Sequence, residues 1–341
     1  MAWHHIAFYT AIFFMAGVLA ASIFSGSAGA IIFSGVTALA ATAFFWRYDK
    51  KSIAIFTPFI IAGAIYYSIY DIAQRATPPE YGGAVNIEGV VRKVEEYEKG
   101  QKIYIGAVKI YAPNYPIYEY GDRLEVFGAI KEIKPELRNI FLKDGVLGTM
   151  SYPEIRLLGR GGGNPATAVL FKLKARVLRT FAAVLPYQKS QFLAGITLGE
   201  KSAFSEDFRQ DLSRSGTAHL VALSGYNISV LLDNLAIGGA FWLPLGIVVL
   251  FVLMTGAEAS IVRAAIMGGI ILLSGRVNRL YSFRNAITIA AFFMTLQNPK
   301  ILAFDLGFQL SFAALLGIVY LRPIIAQGLR MKPGPGFLKW R

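Results

Sequence analysis

The sequence predicts a polytopic α-helical membrane protein that carries one small inserted β-barrel domain. Hydrophobic residues make up 55% of the 341 residues and charged residues 16%, whereas an ordinary soluble domain carries roughly 25% charged residues. Long apolar runs occupy the first 70 residues and recur in the second half of the chain. Between them lies a segment whose apolar and polar residues alternate as they do in strands.

Three apolar runs fill the N-terminal region at residues 6–24, 28–46 and 53–70, and none contains Lys, Arg, Asp or Glu. A bilayer-spanning helix needs about 20 apolar residues, so residues 1–72 are predicted to form transmembrane helices. A cleaved signal peptide is the alternative for the first run, but the preceding MAWHH has no Lys or Arg and a second run follows at once. The basic residues at 47–51 predict a cytoplasmic loop. The N-terminus then lies inside, and the third helix leads to the outside.

Residues 77–160 are predicted to form an extracytoplasmic β-barrel. Alternating runs such as QKIYIGAVKIYA are separated by turn-forming residues at 99–100, 113–114 and 120–122, which indicates five or six short strands. An OB-like barrel is the common small barrel of this kind. Residues 80–160 hold 12 basic and 12 acidic residues, so the net charge of +13 lies elsewhere. A structural or protein-contacting domain and a nucleic-acid-binding domain both fit this pattern.

Residues 166–216 are predicted to form amphipathic and interfacial helices after the flexible GRGGGNP linker. Apolar residues recur every fourth position from Val169, while the basic residues share a different face. These basic surface candidates are Lys172, Arg176 and Arg179. They face lipid headgroups, which is the simpler interpretation, or a passing phosphate backbone. Ser205 is predicted to cap a short charged helix over residues 205–214.

Residues 217–330 are predicted to form a second transmembrane domain, followed by a basic cytoplasmic tail at 331–341. The polar residues at 217–229 lie in or beside an apolar helix that is interrupted at Ser224-Gly225. A broken helix at membrane depth is typical of a lined pathway. Hydrogen bonding between helices by small polar residues is the alternative.

The composition also excludes several chemistries. The chain has no cysteine and only three histidines, so we expect no catalytic residues, no metal site and no cofactor. The phosphate-binding sequence GxxxxGK[ST] is absent from the chain. Any driving force for transport is therefore expected to come from another protein.

Three ordered motifs resemble those of the ComEC competence proteins, the inner-membrane channels through which transforming DNA enters bacteria. They are ITLGEKS with LSRSGTAHLVALSGYNISVL (196–231), ASIVRAAIMGGI (259–270) and NPKILAFDLGFQLSFAALLGI (298–318). The barrel resembles the N-terminal domain of that family. The resemblance implies a multi-pass protein of the cytoplasmic membrane that conducts single-stranded DNA during natural transformation. It also implies a separate nuclease, DNA receptor and ATPase as partners, with membrane lipids around the chain and a homo-oligomer as a further expectation.

The resemblance assigns candidates for the pore or DNA path. They are His219, Ser224, Gly225, Tyr226, Asn227, Ser260, Arg263, Asp305, Gln309 and Ser311. The chain departs from the family's usual SGLH at Tyr226 and Asn227, and an amide cannot titrate as histidine does. Asp305 is expected to cap a helix, and Arg263 to contact a phosphate or pair with Glu258.

Two further comparisons with that family set the remaining expectations. Many members carry a C-terminal metallo-β-lactamase-like domain, whose HxHxDH motif this chain lacks, so the chain is expected to be a fragment or to act with a separate nuclease. Two other functions stay open. One is a secondary transporter of a small solute, and the other is a membrane scaffold whose barrel recruits a partner.

Overall fold

The computed structural model divides the chain into two compact units. The first comprises Met1–Ala76 with Ile266–Arg341, and the second comprises Thr77–Ala265. The structure describes residues 3–23, 28–47, 54–76, 78–97, 100–200, 204–217, 225–235, 241–276, 282–321, 324–325 and 328.

The chain begins with three helices and continues into a seven-stranded domain. The helices are α1 (Trp3–Ile23), α2 (Ala28–Arg47) and α3 (Pro58–Arg75). The strands are β1 (Ala84–Tyr97), β2 (Gly100–Ile105), β3 (Val108–Ala112), β4 (Arg123–Ala129), β5 (Lys131–Glu132), β6 (Gly148–Ser151) and β7 (Glu154–Gly159), with helix α4 (Pro135–Lys143) before β6.

Helices make up the rest of the described chain. They are α5 (Pro165–Val184), α6 (Tyr187–Leu198), α7 (Glu206–Arg214), α8 (Gly225–Leu235), α9 (Trp242–Met254), α10 (Ala259–Arg276), α11 (Phe283–Gln297), α12 (Ile301–Phe304) and α13 (Leu306–Leu316), which ends in a π-helical turn (Gly317–Leu321). The boundary between the two units falls within α10.

Two glycines allow α1 and α3 to approach closely within the first unit. A Cβ atom on Gly17 would lie 1.8 Å from the carbonyl oxygen of Ile60, and one on Gly63 would lie 2.0 Å from that of Phe14. Small residues let helix backbones pack directly against each other, as they do in membrane bundles. The buried side chain of Tyr67 lies in the core beside this crossing.

One helix among the described residues, His5–Ile23, is both long enough and apolar enough to cross a membrane. Four shorter apolar helices accompany it: Ile32–Arg47, Trp242–Met254, Ala259–Ser274 and Leu306–Leu321. The third predicted span at 53–70 becomes α3, which begins at Pro58 because proline is favoured in the first turn of a helix. A polytopic arrangement stays a prediction.

The strands form one sheet in the order β5-β6-β3-β2-β1-β4-β7. Strand β1 is long enough to pair antiparallel with β4 through its first half and with β2 through its second half. An irregularity in the register between Val91 and Lys93 marks the change of partner. Both halves contribute to one apolar core that includes Val91, Ile103, Ile110 and Leu124. Seven strands replace the five or six expected, and the OB-like identity of the domain stays a prediction.

Local sequence signals set the start of α5 and α7. The Asn164 side chain accepts a hydrogen bond from the Ala166 backbone nitrogen at 2.9 Å, directly after the glycine linker. The Ser205 hydroxyl accepts from the Phe208 nitrogen at 3.3 Å, which confirms the predicted cap. Side-chain oxygens satisfy the exposed N–H groups of a first turn in this way.

Candidate functional site

A cavity of about 1480 Å³ lies in the second unit, lined by β1 and β2 of the sheet and by helices α5 and α7. We call it the basic groove. Its basic lining residues are Arg92, Lys93, Lys102, Lys172, Lys174, Arg176, Arg179 and Arg209. Its acidic lining residues are Glu95, Glu119, Glu200 and Glu258. Eight positive groups against four negative ones give the groove a positive potential that attracts anions.

Helix α5 contributes three exposed cations to this charge. Spacings of four and three residues place Lys172, Arg176 and Arg179 on one face of the helix, and all three are exposed. Within the described parts of the chain none of these three side chains forms an ion pair. In contrast, Lys174 on the same helix lies 2.9 Å from the carboxylate of Glu200. Three uncompensated cations therefore follow one wall of the groove, as the sequence predicted for one face of this helix.

Lysine and tyrosine alternate across the strands beside the groove, and of the residues paired here Lys93 and Lys102 line it whereas Tyr104 and Lys109 do not. The register pairs Lys93 with Tyr104 and Glu95 with Lys102 across β1 and β2, and Tyr104 with Lys109 across β2 and β3. The Tyr104 hydroxyl donates to the Glu95 carboxylate at 3.1 Å. The Lys93 ammonium lies 2.6 Å from the other oxygen of that carboxylate. Glu95 therefore holds the side chains of two neighbouring strands in place.

The ionisation of this wall follows from burial and from close partners. Burial alone would raise the pKa of Glu95, but the hydrogen bond and charge of Lys93 and the hydrogen bond from Tyr104 hold that pKa below its ordinary value. Burial and the adjacent carboxylate raise the pKa of Tyr104. Burial also lowers the pKa of Lys109. At neutral pH Glu95 is thus ionised and Tyr104 is a neutral hydrogen-bond donor.

Helix α5 is joined to the strand domain through Tyr120. The Tyr120 hydroxyl accepts a hydrogen bond from the Asn164 backbone nitrogen at 3.0 Å. Its ring lies 5.2 Å from the ring of Phe171, measured between centroids. Tyr120 itself lines the groove, so the residues that fix α5 also shape the cavity.

The structure brings several predicted path residues together where α8, α9 and α10 pack. Ile228, Val248 and Ile261 form the buried core of these helices. A Cβ atom added to Gly225 would lie 3.4 Å from the Cβ of Ala264. Three other predicted path residues belong to this cluster. The Asn227 amide donates a hydrogen bond to the Ile196 carbonyl at 3.1 Å. Ser260 and Arg263 are half-buried and lie within one turn of Ala264 on α10.

The last predicted residues lie in the first unit and have local structural partners. The Asp305 carboxylate accepts from the Phe308 nitrogen at 2.8 Å and caps α13, which confirms that expectation. Gln309 donates to the carbonyls of Leu302 and Ala303 at 3.1 and 2.9 Å, and Ser311 is half-buried. The remaining candidates fall outside the description: His219 and Ser224 lie outside the described residues, as does the side chain of Tyr226.

A buried charge cluster in the first unit was missed by the sequence analysis. The Lys300 ammonium lies 2.5 Å from one carboxylate oxygen of Asp71, and the Arg75 guanidinium lies 3.0 Å from the other. The side chains of Lys300 and Asp71 are 0% and 3% exposed. The available signal was weak: Asp71 directly follows the third apolar run, and Lys300 stands between two apolar stretches. Charges at such places are expensive and are usually paired.

Comparisons with known proteins show that part of the chain is similar to one protein family. Residues 196–340 match the model of a family described as Competence protein. The ComE operon protein 3 of Bacillus subtilis (strain 168) is 28% identical over 167 residues, which cover 46% of this chain and 21% of that relative. The chain thus spans about a fifth of the relative's length. No solved structure matches. The family match therefore lies over residues 196–340, which contain α7 to α13, and the seven strands lie outside it.

Proposed function

We propose that this chain conducts single-stranded DNA inward across the cytoplasmic membrane during natural transformation. The observation that carries the proposal is the basic groove, whose uncompensated cations on α5 lie in the same unit as the first competence motif. Positive grooves that follow a phosphate backbone are the common means of binding single strands without sequence preference. The resemblance to competence proteins supplies the direction and the biological setting.

The proposal gives the barrel a guiding role outside the membrane. The strands contribute Lys93, Lys102 and Tyr97 to the groove lining, so this wall offers cations for phosphates and a ring for a base. The N-terminus and the basic tail lie inside in this arrangement, and the chain crosses the membrane several times. A separate nuclease would supply single strands, a DNA receptor would deliver them and an ATPase would drive entry.

The cluster of α8, α9 and α10 is the proposed continuation of the path. Neutral donors and scattered cations suit a polyanion better than acidic rings do. Asn227, Ser260 and Arg263 are of this kind, and a Cβ atom on Gly225, at the start of α8, would lie 3.4 Å from the Cβ of Ala264. The small residue at this contact is therefore proposed to keep the path open.

Replacement of Gly225 tests the proposal. The full chain is reconstituted into liposomes, and entry of labelled single-stranded DNA is measured beside leakage of a small dye. Gly225→Leu places three further carbons at the 3.4 Å contact with Ala264, so we expect DNA entry to fall by about tenfold or more, in line with the cost of overpacking. Gly225→Ala is the matched control, because its Cβ meets Ala264 at ordinary contact distance.

The two variants and the wild type separate the possible outcomes. Equal DNA entry with Gly225→Leu and wild type would show that Gly225 does not lie on the path. Failure of the folded wild type to admit DNA would contradict conduction by these residues. Dye leakage that accompanies DNA entry would indicate an unspecific pore.

A further inference from the structure

Three tyrosines meet at one end of the barrel wall. Tyr97 ends β1, Tyr111 lies near the end of β3, and Tyr152 occupies the turn between β6 and β7. The rings of Tyr97 and Tyr111 are 6.1 Å apart at 87°, and the hydroxyls of Tyr97 and Tyr152 are 3.4 Å apart. We call these three residues the tyrosine cluster.

The backbone of Tyr152 is strained. Its φ of 51° lies in the left-handed region, which costs energy for any residue with a Cβ and is unusual for a bulky one. Glycine or asparagine would fit the same turn more easily. The Tyr152 nitrogen donates to the Tyr111 carbonyl at 2.8 Å, which holds the turn in place. Strained residues of this kind concentrate at functional sites.

The exposure of Tyr152 shows that packing does not explain its presence. Its side chain is 58% exposed, although burial is the usual benefit of an aromatic ring. The observed side-chain contact is with another tyrosine hydroxyl. A large ring held outward in an unfavourable backbone conformation points to a binding role.

Lysines beside the cluster indicate what it binds. The ammonium of Lys102 lies 5.1 Å from the ring centre of Tyr97, and that of Lys109 lies 5.6 Å from the ring centre of Tyr111. Tyr97 and Lys102 also line the basic groove, so the cluster continues one of its walls. Rings that alternate with cations match the alternating bases and phosphates of a single strand.

The hydrogen bond between Tyr97 and Tyr152 also affects the ionisation of Tyr97. That bond, followed by burial, raises the pKa of Tyr97 to about 12. The phenol is therefore neutral at physiological pH and does not repel a phosphate backbone.

We propose that Tyr97, Tyr111 and Tyr152 form a base-stacking site for single-stranded nucleic acid at the end of the basic groove. This inference rests on the proposed function, since it names how the guided strand is held. The site binds unpaired bases without sequence preference, because every base has a flat face that can stack on a tyrosine ring.

A binding comparison tests the stacking site. The full chain in detergent is titrated against a labelled oligothymidine of about 12 nucleotides and an abasic oligomer of the same length, which offers the phosphates without the bases. We expect the wild type to bind the oligothymidine about five- to tenfold more tightly. Tyr152→Asn should abolish that preference while leaving the abasic affinity and the salt dependence unchanged.

The substitutions are chosen to distinguish an effect on binding from an effect on folding. Asparagine tolerates the left-handed backbone, so the unfolding temperature of Tyr152→Asn should equal or exceed that of the wild type. Tyr152→Phe retains the ring and should bind as the wild type does. Tyr187→Asn removes another exposed tyrosine, 69% exposed and outside the groove lining, and should leave binding unchanged.

The outcomes separate the stacking site from the proposed function. Equal wild-type affinity for the two oligomers, or unchanged oligothymidine binding by Tyr152→Asn, would overturn the stacking site while salt-dependent binding would still support DNA conduction. No binding of either oligomer by the wild type would overturn both. Weaker oligothymidine binding by Tyr152→Asn, together with wild-type binding by Tyr152→Phe, would support the site. Phenylalanine has the same backbone preference as tyrosine, so Tyr152→Phe leaves the backbone strain at this position unchanged.

Discussion

Asp71→Asn is expected to lower the free energy of unfolding by about 3–5 kcal/mol, the usual cost of breaking a buried ion pair from one side. The substitution removes the carboxylate that lies 2.5 Å from the Lys300 ammonium, at side chains that are 3% and 0% exposed. The Lys300 charge stays buried and loses the nearby opposite charge. Thermal and denaturant unfolding of the detergent-solubilised chain measure the loss.

Two controls identify the cause. The double variant Asp71→Leu with Lys300→Met removes both charges and should lose less stability than Asp71→Asn alone, because apolar groups of similar size often replace a buried pair without cost.

Asp144→Asn removes an aspartate that is 55% exposed and lies 3.8 Å from Lys143. Exposed pairs contribute about 1 kcal/mol or less. A loss through Asp71→Asn no larger than through Asp144→Asn would contradict the importance of the buried pair.

This ion pair also relates the N-terminal helices to the family-matched region. Asp71 lies on α3, outside the match, whereas Lys300 lies within it and precedes α12. Both residues belong to the first compact unit. The N-terminal helices are therefore part of the structure that supports the competence motif at 298–318, although no motif was recognised in them.

Neutralising the cations of α5 is expected to have the second large effect, on DNA affinity. The triple variant Lys172→Gln, Arg176→Gln and Arg179→Gln removes three charges without ion-pair partners among the described residues. Each phosphate contact contributes about 0.7 to the slope of log affinity against log salt concentration for a single strand. The slope should therefore decrease by about 2, and the affinity at low salt should fall most. Anisotropy titrations over a salt series measure both quantities.

The matched control removes three charges from the strand domain outside the groove. Arg123 and Lys131 are exposed, Arg138 is half-buried, and none of the three lines the cavity. Their replacement by Gln changes the net charge equally, so it should leave the slope nearly unchanged. Equal effects of the two triple variants would show that DNA responds to overall charge and not to the groove.

The sequence predicted the features that depend on near neighbours. Ser205 and Asp305 cap their helices because a short side chain with a hydrogen-bond-accepting oxygen stands directly before the first turn. Lys172, Arg176 and Arg179 share a face because helical periodicity alone places them there. Each of these features needs information from only a few adjacent residues.

The missed features depend on residues that are distant in sequence. Asp71 and Lys300 are separated by 229 positions, and each in isolation resembles a charge at the end of an apolar run. Tyr97, Tyr111 and Tyr152 meet because β1, β2 and β3 pair antiparallel and β6 joins β3 in parallel. The alternating pattern predicts strands, but strand order and register follow from the packed core.

Photo-crosslinking of DNA during uptake tests the central claim most directly. A single strand that carries 5-iodouracil is allowed to enter liposomes that contain the full chain, then irradiated, and the attached peptides are identified by mass spectrometry. The account predicts crosslinks on the β1 and β2 wall and on α5, with Tyr97 and Tyr152 among the attached residues. DNA entry with crosslinks confined to other parts of the chain would contradict the basic groove as the route of the strand.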